Sequence, residues 1–205
     1  MGLTLPMPNI PFLDKKSVVR AQLKTERKAA AAARPDAGRH AARNFMANIP
    51  FTDDMTVALY YPKGDELDTT PLLEALLDRG CKIALPITPA TRAPLEFKQF
   101  SPGDPLEQGR HGILCPEQSA PSAHPNIIVT PLLGFSRKGD RLGYGGGYYD
   151  RTLEAIRAGA PVLAVGYGFG AQEVDAFPTN AHDQPLDWVV TERAAVKFTP
   201  PPGSG

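Results

Sequence analysis

Residues 126–168 read NIIVTPLLGFSRKGDRLGYGGGYYDRTLEAIRAGAPVLAVGYG. NIIVTP (126–131) is a short apolar run of the kind that forms a buried strand, and PVLAVGYG (161–168) is a second. Between them lie a glycine-rich loop and TLEAIRAG (152–159), a helical pattern that stops at Gly159. The same order occurs upstream. MTVALYY (55–61) reads as a strand, Thr69-Thr70-Pro71 opens a helix that runs through LLEALLDRG to Gly80, and CKIALP (81–86) is the next strand. WVVT (188–191) adds another strand. Short apolar strands alternating with helices predict an α/β fold with three αβα layers and a mostly parallel, Rossmann-like sheet.

Working outward, Asp14 suits an N-cap for a helix over about 14–33, and a second helix over about 36–48 follows Arg34-Pro35-Asp36, giving an N-terminal helical layer. LEFKQF (95–100) alternates as an edge strand does, and the Pro-, Gly- and His-rich stretch 101–125 reads as loop. Residues 1–13 form a Pro-rich lead expected to be poorly ordered, 14–198 a single α/β domain, and 199–205 a flexible Pro/Gly tail. No repeat of solenoid period is present.

Composition removes several function classes. Lys+Arg and Asp+Glu both number 22, so a general nucleic-acid or anionic-membrane binder is not expected. No apolar run is long enough to span a membrane, and MGLTLPMPNIPF lacks the basic region of a signal peptide, which points to a cytoplasmic protein. Cys81 and Cys115 make neither a disulfide framework nor a zinc site. The four histidines show no metal spacing, and no G-x-S-x-G elbow occurs. Charge is nonetheless uneven: residues 15–43 carry a net +7, which the rest of the chain balances. A charge run alone is an ordinary solvated helix face, but one beside an acidic body also steers anionic small molecules.

The chemistry concentrates in Gly134–Arg151. Gly143, Gly145, Gly146 and Gly147 let a loop turn several backbone N–H groups toward one point, and the following helix N-terminus completes an anion cradle. Neither the Walker A pattern nor G-x-G-x-x-G is present, so cations for a polyphosphate must come from elsewhere. Lys16 and Arg20, at i and i+4, project from one face of the first helix and suit phosphate oxygens. Asp150 either complements the dipole of the helix it opens or holds Mg²⁺ against loop-bound phosphates. Glu66, after the first strand, has the chemistry to accept ligand N–H groups, and Tyr148 and Tyr149 either stack on a planar ring or belong to the core.

Lys16-x-x-x-Arg20, Gly64-Asp-Glu-Leu-Asp-Thr69 and Gly139-Asp-Arg-Leu-Gly-Tyr-Gly-Gly-Gly-Tyr-Tyr-Asp-Arg151 come in the order and spacing of one family. Over about residues 14–192 the chain resembles the 5-formyltetrahydrofolate cyclo-ligases, also called methenyltetrahydrofolate synthetases. The resemblance implies an ATP- and Mg²⁺-dependent ring closure in folate one-carbon metabolism. The formyl oxygen is phosphorylated, N10 attacks the formyl carbon, and 5,10-methenyltetrahydrofolate, ADP and phosphate leave. It implies small-molecule partners only (ATP and a reduced folate, with or without a polyglutamate tail), no nucleic acid, no membrane and a monomer.

Residue by residue, the resemblance makes Lys16 and Arg20 ATP-phosphate ligands and assigns Arg141, Leu142, Gly143, Tyr144, Gly145, Gly146, Gly147, Tyr148 and Tyr149 to the ATP loop. Lys16, Arg20, Arg141 and Tyr149 form the catalytic set. Tyr144 to Tyr148 also face the folate, together with Glu66 and Tyr61, and Asp150 and Asp187 are metal ligands. Tyr144 and Gly146 stand where some members carry Arg and Lys, with Arg141 and Arg151 available as substitutes. Cys115 stands where a carboxylate or amide is usual. Two other readings stay open: a relative acting on another formamide or carboxylate, and a non-catalytic folate-binding module.

Overall fold

The computed structural model describes residues 15–199. The expected N-terminal lead, the Asp14 cap and residues 200–205 of the expected tail lie outside the described residues. Helices α1 (Lys15–Ala33) and α2 (Ala37–Asn48) come first, followed by β1 (Thr56–Ala58), α3 (Thr70–Asp78) and β2 (Lys82–Ile87). Next are β3 (Glu96–Phe100), β4 (Leu106–Gln108), β5 (Leu114–Pro116) and β6 (Ile127–Pro131). Strands β7 (Gly134–Ser136) and β8 (Arg141–Leu142) precede α4 (Tyr148–Arg157) and β9 (Leu163–Tyr167). Strands β10 (Glu173–Val174), β11 (Trp188–Val190) and β12 (Ala195–Lys197) close the chain.

The main sheet has the order β12-β11-β9-β6-β1-β2-β3. Its five central strands are parallel, and β3 and β12 pair antiparallel at the two edges. All five residues of β6 are buried, as a parallel strand covered on both faces requires. Alternation then sorts side chains between layers. Val57, Ile83, Ile127, Val129 and Val165 pack toward α2 and α3, whereas Ala58, Ala84, Ile128 and Ala164 pack with Leu153 of α4. Three alanines on that face let α4 lie close to the sheet.

A second, three-stranded sheet of order β10-β7-β8 flanks the first. Val19 and Leu23 of α1 are buried against Leu133, Leu142, Val174 and Phe177 there, so the N-terminal helical layer is fixed beside the loop that follows β8.

Strand order also sets where a ligand binds. From β1 the chain goes to β2 on one side, then returns to β6, β9 and β11 on the other. The reversal between β1 and β6 leaves a crevice outside the carboxyl ends of those strands. Strands β7, β8 and β10 are additions to the sequence reading, and several boundaries differ from it. Strand β1 leaves the ladder after Ala58, because Tyr60 and Tyr61 turn to line the crevice. Helix α4 starts one turn before residue 152, since Gly147 (φ 67°) supplies the left-handed entry. The stretch 101–125 contains the β4–β5 hairpin, whose three-residue strands carry too little apolar alternation to be read. Strand β12 covers the β11 edge with only Ala-Val-Lys.

Leu153 is fully buried where α4 meets the sheet. We predict that Leu153→Ala lowers unfolding free energy by about 2–5 kcal/mol in urea titration. A loss below about 1 kcal/mol would show that α4 is not clamped to the sheet as described.

Candidate active site

A cavity of about 1050 Å³ occupies the crevice. Its floor is the carboxyl ends of the central strands, with Tyr60 and Tyr61 after β1, Pro86 and Thr88 at β2, and Pro131 ending β6. One wall is α1. Lys16, Arg20, Lys24 and Arg27 all line the cavity, at i, i+4, i+8 and i+11, so one helix face lays a stripe of cations about 16 Å long along it. The facing wall is the loop 143–147 and the first turn of α4.

The loop is held open by named contacts. Arg20 Nε donates to the Gly143 carbonyl at 3.0 Å, and a Cβ at Gly145 (φ 99°) would stand 3.4 Å from the Arg20 guanidinium carbon. Glycine therefore provides the backbone conformation, and Arg20 packs directly against it. Arg151 Nη2 donates to the Gly146 carbonyl at 2.9 Å, pinning the other side of the loop. Behind it the first N–H groups of α4 have no intrahelical acceptors, and with the helix dipole they form an anion-binding end.

Beside that end, Arg141 Nη2 donates to Asp150 Oδ1 at 2.8 Å, and the Arg141 side chain is only 4% exposed. Its buried Nε has no hydrogen-bond partner, and its guanidinium lies 5.6 Å from the Tyr149 ring centroid. Lys16 Nζ donates to Asp183 Oδ2 at 2.8 Å, and Asp183 also lines the cavity.

At the far end stands Glu66. Its Oε1 accepts from the Tyr144 hydroxyl, its Oε2 accepts from the Lys63 backbone N–H at 2.8 Å, and Arg27 Nη1 lies 3.8 Å from Oε1. Arg27 Nη1 also donates to the Tyr144 hydroxyl. Burial, with the Glu66 charge second, pushes the phenols of Tyr60, Tyr144 and Tyr149 above their ordinary range; Tyr144 donates to Glu66, and Tyr60 to the Leu67 carbonyl at 2.6 Å.

The structure thus brings Lys16, Arg20, Tyr61, Glu66, the loop from Arg141 to Tyr149 and Asp150 to one cavity. It does not bring Asp187 there. That carboxylate accepts from Arg157 Nη2 at 2.9 Å and from the Ala164 N–H at 2.7 Å, so it ties α4 to β9 and does not line the cavity. The expectation of Asp187 at a metal is corrected on that ground. Cys115 is buried in β5 and also lies off the cavity. The sequence reading missed Arg27, although extending the Lys16–Arg20 spacing by two turns finds it. It is Arg27 that carries a guanidinium to the Tyr144 hydroxyl, while Arg151 is spent on the loop carbonyl. Asp183 and Lys63 sit in irregular segments, where no periodicity marks them.

Among the described residues no group of three or more His, Cys, Asp or Glu could cage a metal. Asp150, one of the carboxylates lining the cavity, stands in the first turn of α4 and does fit Mg²⁺ as that ion usually binds, through one or two carboxylates plus substrate phosphates and water.

Comparison with known proteins shows the family. The model of the 5-formyltetrahydrofolate cyclo-ligase family matches residues 13–192. The chain is 35% identical over 159 residues to the 5-formyltetrahydrofolate cyclo-ligase of Escherichia coli K12, covering 75% of this chain and 87% of that protein. It is 35% identical over 135 residues to that of Haemophilus influenzae, covering 63% of this chain and 72% of that one. The solved structure of Aquifex aeolicus 5,10-methenyltetrahydrofolate synthetase superposes with a TM-score of 0.70 at 26% identity, over 93% of this chain and 96% of that one.

A raised phenol pKa means that folding favours the neutral form. The stabilisation is intact below the unfolded phenol value of about 10 and is lost as pH climbs beyond it. In an alkaline absorbance titration Tyr60, Tyr149 and Tyr167, all raised chiefly by burial, are predicted to stay neutral through the ordinary phenol range and to ionise only as the protein unfolds. Their ionisation near the ordinary value with the fold intact would contradict the packing described.

Proposed function

The chain belongs to the 5-formyltetrahydrofolate cyclo-ligase family, and from that premise we propose that it closes 5-formyltetrahydrofolate to 5,10-methenyltetrahydrofolate at the expense of ATP, using the cavity between α1 and the glycine loop. The observation that carries this reading is the sorting of functional groups along one cavity. Lys16, Arg20, Arg141 and the α4 N-terminus stand at one end, with Asp183 and Asp150 paired to Lys16 and Arg141, and Glu66 stands beside Arg27 at the other.

The chemistry explains why both ends are needed. A formamide oxygen is a poor leaving group, so it takes the γ-phosphoryl group: a P–O bond to the formyl oxygen forms as the bond to ADP breaks. N10 then attacks the formyl carbon and loses its proton to solvent, the C–O bond breaks, and phosphate departs with the former formyl oxygen. No covalent nucleophile of the protein is required, only positioning and neutralisation of charge. We assign Lys16 and Arg20 to the phosphates, with the N–H groups of the loop 143–147 and of α4. Arg141, preorganised by Asp150 and stacked near Tyr149, meets charge developing on the transferred group. Glu66, with Tyr61 and Tyr144 beside it, accepts N–H groups of the folate ring.

Asp150 is the residue that would hold Mg²⁺, which would neutralise phosphate charge. Its Oδ1 is already committed to Arg141, so Oδ2 is the oxygen left for the ion. The described cavity lining comes from one chain, and we read residues 14–198 as one monomeric catalytic domain. Two free buried cysteines suit the reducing cytoplasm, and among the described residues no helix is long and apolar enough to cross a membrane.

The test is to mix purified protein with 5-formyltetrahydrofolate and Mg-ATP, following the near-ultraviolet band of the methenyl product while counting ADP. One ADP per methenyl group is expected. Binding of Mg-ATP without methenyl product would instead favour a relative with another formamide substrate. Two variants separate the ends of the cavity. Glu66→Gln is predicted to weaken folate binding much more than ATP binding in calorimetric titrations, and equal losses would remove Glu66 from the folate end. Lys16→Ala is predicted to cost about 2–4 kcal/mol of transition-state stabilisation in kcat/KM for ATP. An unchanged value would leave α1 as a solubilising face.

A further inference from the structure

Arg27 has a role that phosphate chemistry does not account for. It stands two turns beyond Arg20 on α1, at the Glu66 end of the cavity, and it is 7% exposed. A guanidinium this deeply buried needs partners for its donors, because unpaired buried polar groups are costly. Arg27 has few. Its Nη1 donates to the Tyr144 hydroxyl and lies 3.8 Å from Glu66 Oε1, and its Nε is buried with no hydrogen-bond partner. Glu66 is less fully used than it looks as well. Each oxygen accepts one hydrogen bond, from Tyr144 and from the Lys63 N–H, so each keeps a lone pair for a ligand.

A carboxylate with acceptor capacity beside a guanidinium with donor capacity is complementary to a planar edge that presents adjacent N–H donors followed by a carbonyl. The 2-amino-4-oxo pyrimidine ring of a reduced folate has that edge. We propose that Arg27 is a specificity-determining residue: Glu66 accepts the ring N–H groups, and the Arg27 guanidinium donates to the neighbouring 4-oxo group. The assignment rests on the folate reading above and adds to it the discrimination of the 4-position. A 4-amino ring puts a donor where Arg27 requires an acceptor, and a protonated 4-amino ring also sets two cations against each other. Sites that hydrogen-bond a ligand group reject analogues lacking it far more strongly than apolar sites reject a change of size.

The geometry around Tyr144 supports the same role. Its hydroxyl accepts from Arg27 and donates to Glu66, so one residue of the glycine loop registers α1 against the segment after β1. The pair that reads the ring and the loop that holds phosphate are therefore fixed to one another, as transfer between the two substrates requires.

The experiment compares calorimetric affinities for two probes, 5-formyltetrahydrofolate and its 4-amino counterpart, in wild-type protein, Arg27→Met and Arg27→Lys, with Mg-ATP affinity as the control. Wild type is expected to prefer the 4-oxo probe. Arg27→Met is expected to lose about tenfold or more on that probe and much less on the 4-amino one, so that the preference narrows, with Arg27→Lys in between. Wild-type protein that binds 5-formyltetrahydrofolate without distinguishing the probes overturns the assignment, whether or not either variant folds. Equal losses by Arg27→Met on both probes, or a matching loss of Mg-ATP affinity, also overturn it. Wild-type protein that binds neither probe overturns the folate reading itself.

Discussion

The reversal of strand order between β1 and β6 is the constraint on which the rest of the site depends. Connections leave these neighbouring parallel strands in opposite directions, so no crossover covers both carboxyl ends and the sheet must open a crevice there. The chain then lines it with elements whose positions are fixed by packing elsewhere. Helix α4 is held by Leu153 on an alanine-rich sheet face, and α1 by Val19 and Leu23 on the small flanking sheet. Neither contact belongs to the chemistry, but together they set the distance between the cation stripe and the glycine loop.

Electrostatics then divides the space. Cations lie on the α1 wall, where Lys16 pairs with Asp183, and at the α4 end, where Arg141 pairs with Asp150, while Glu66 accepts from Tyr144 at the far end. Arg27 and Arg141 are both buried with an Nε that has no partner. Such donors are costly in a core and useful in a binding site, where a ligand satisfies them. The chain balances the +7 of residues 15–43 across the rest of its length, so the local field arises without a net charge on the whole protein.

Much of this was legible in the sequence. Apolar runs separated by Thr-Thr-Pro and Gly punctuation identify the parallel core, and four glycines ahead of Tyr-Tyr-Asp mark the loop that lines the cavity before α4, because local chemistry decides both. The β4–β5 hairpin escaped, since Leu-Glu-Gln and Leu-Cys-Pro are too short to show an alternation that marks a strand. Asp187 was misplaced for a different reason. A carboxylate just before a strand has two sides to turn to, and only the packed structure shows it turned to Arg157 and the Ala164 N–H. Arg27 was within reach of helical periodicity, but its meaning required Glu66, 39 positions later in the chain, to be placed beside it.

The central claim is that this one cavity brings a phosphoryl donor to the formyl oxygen, so that this oxygen leaves on phosphate. The most direct test is to run the reaction with oxygen-18 in the formyl group and read the phosphate by phosphorus magnetic resonance. One labelled oxygen is expected in each phosphate released. Unlabelled phosphate, with the label lost to water while methenyl product still forms, would contradict it.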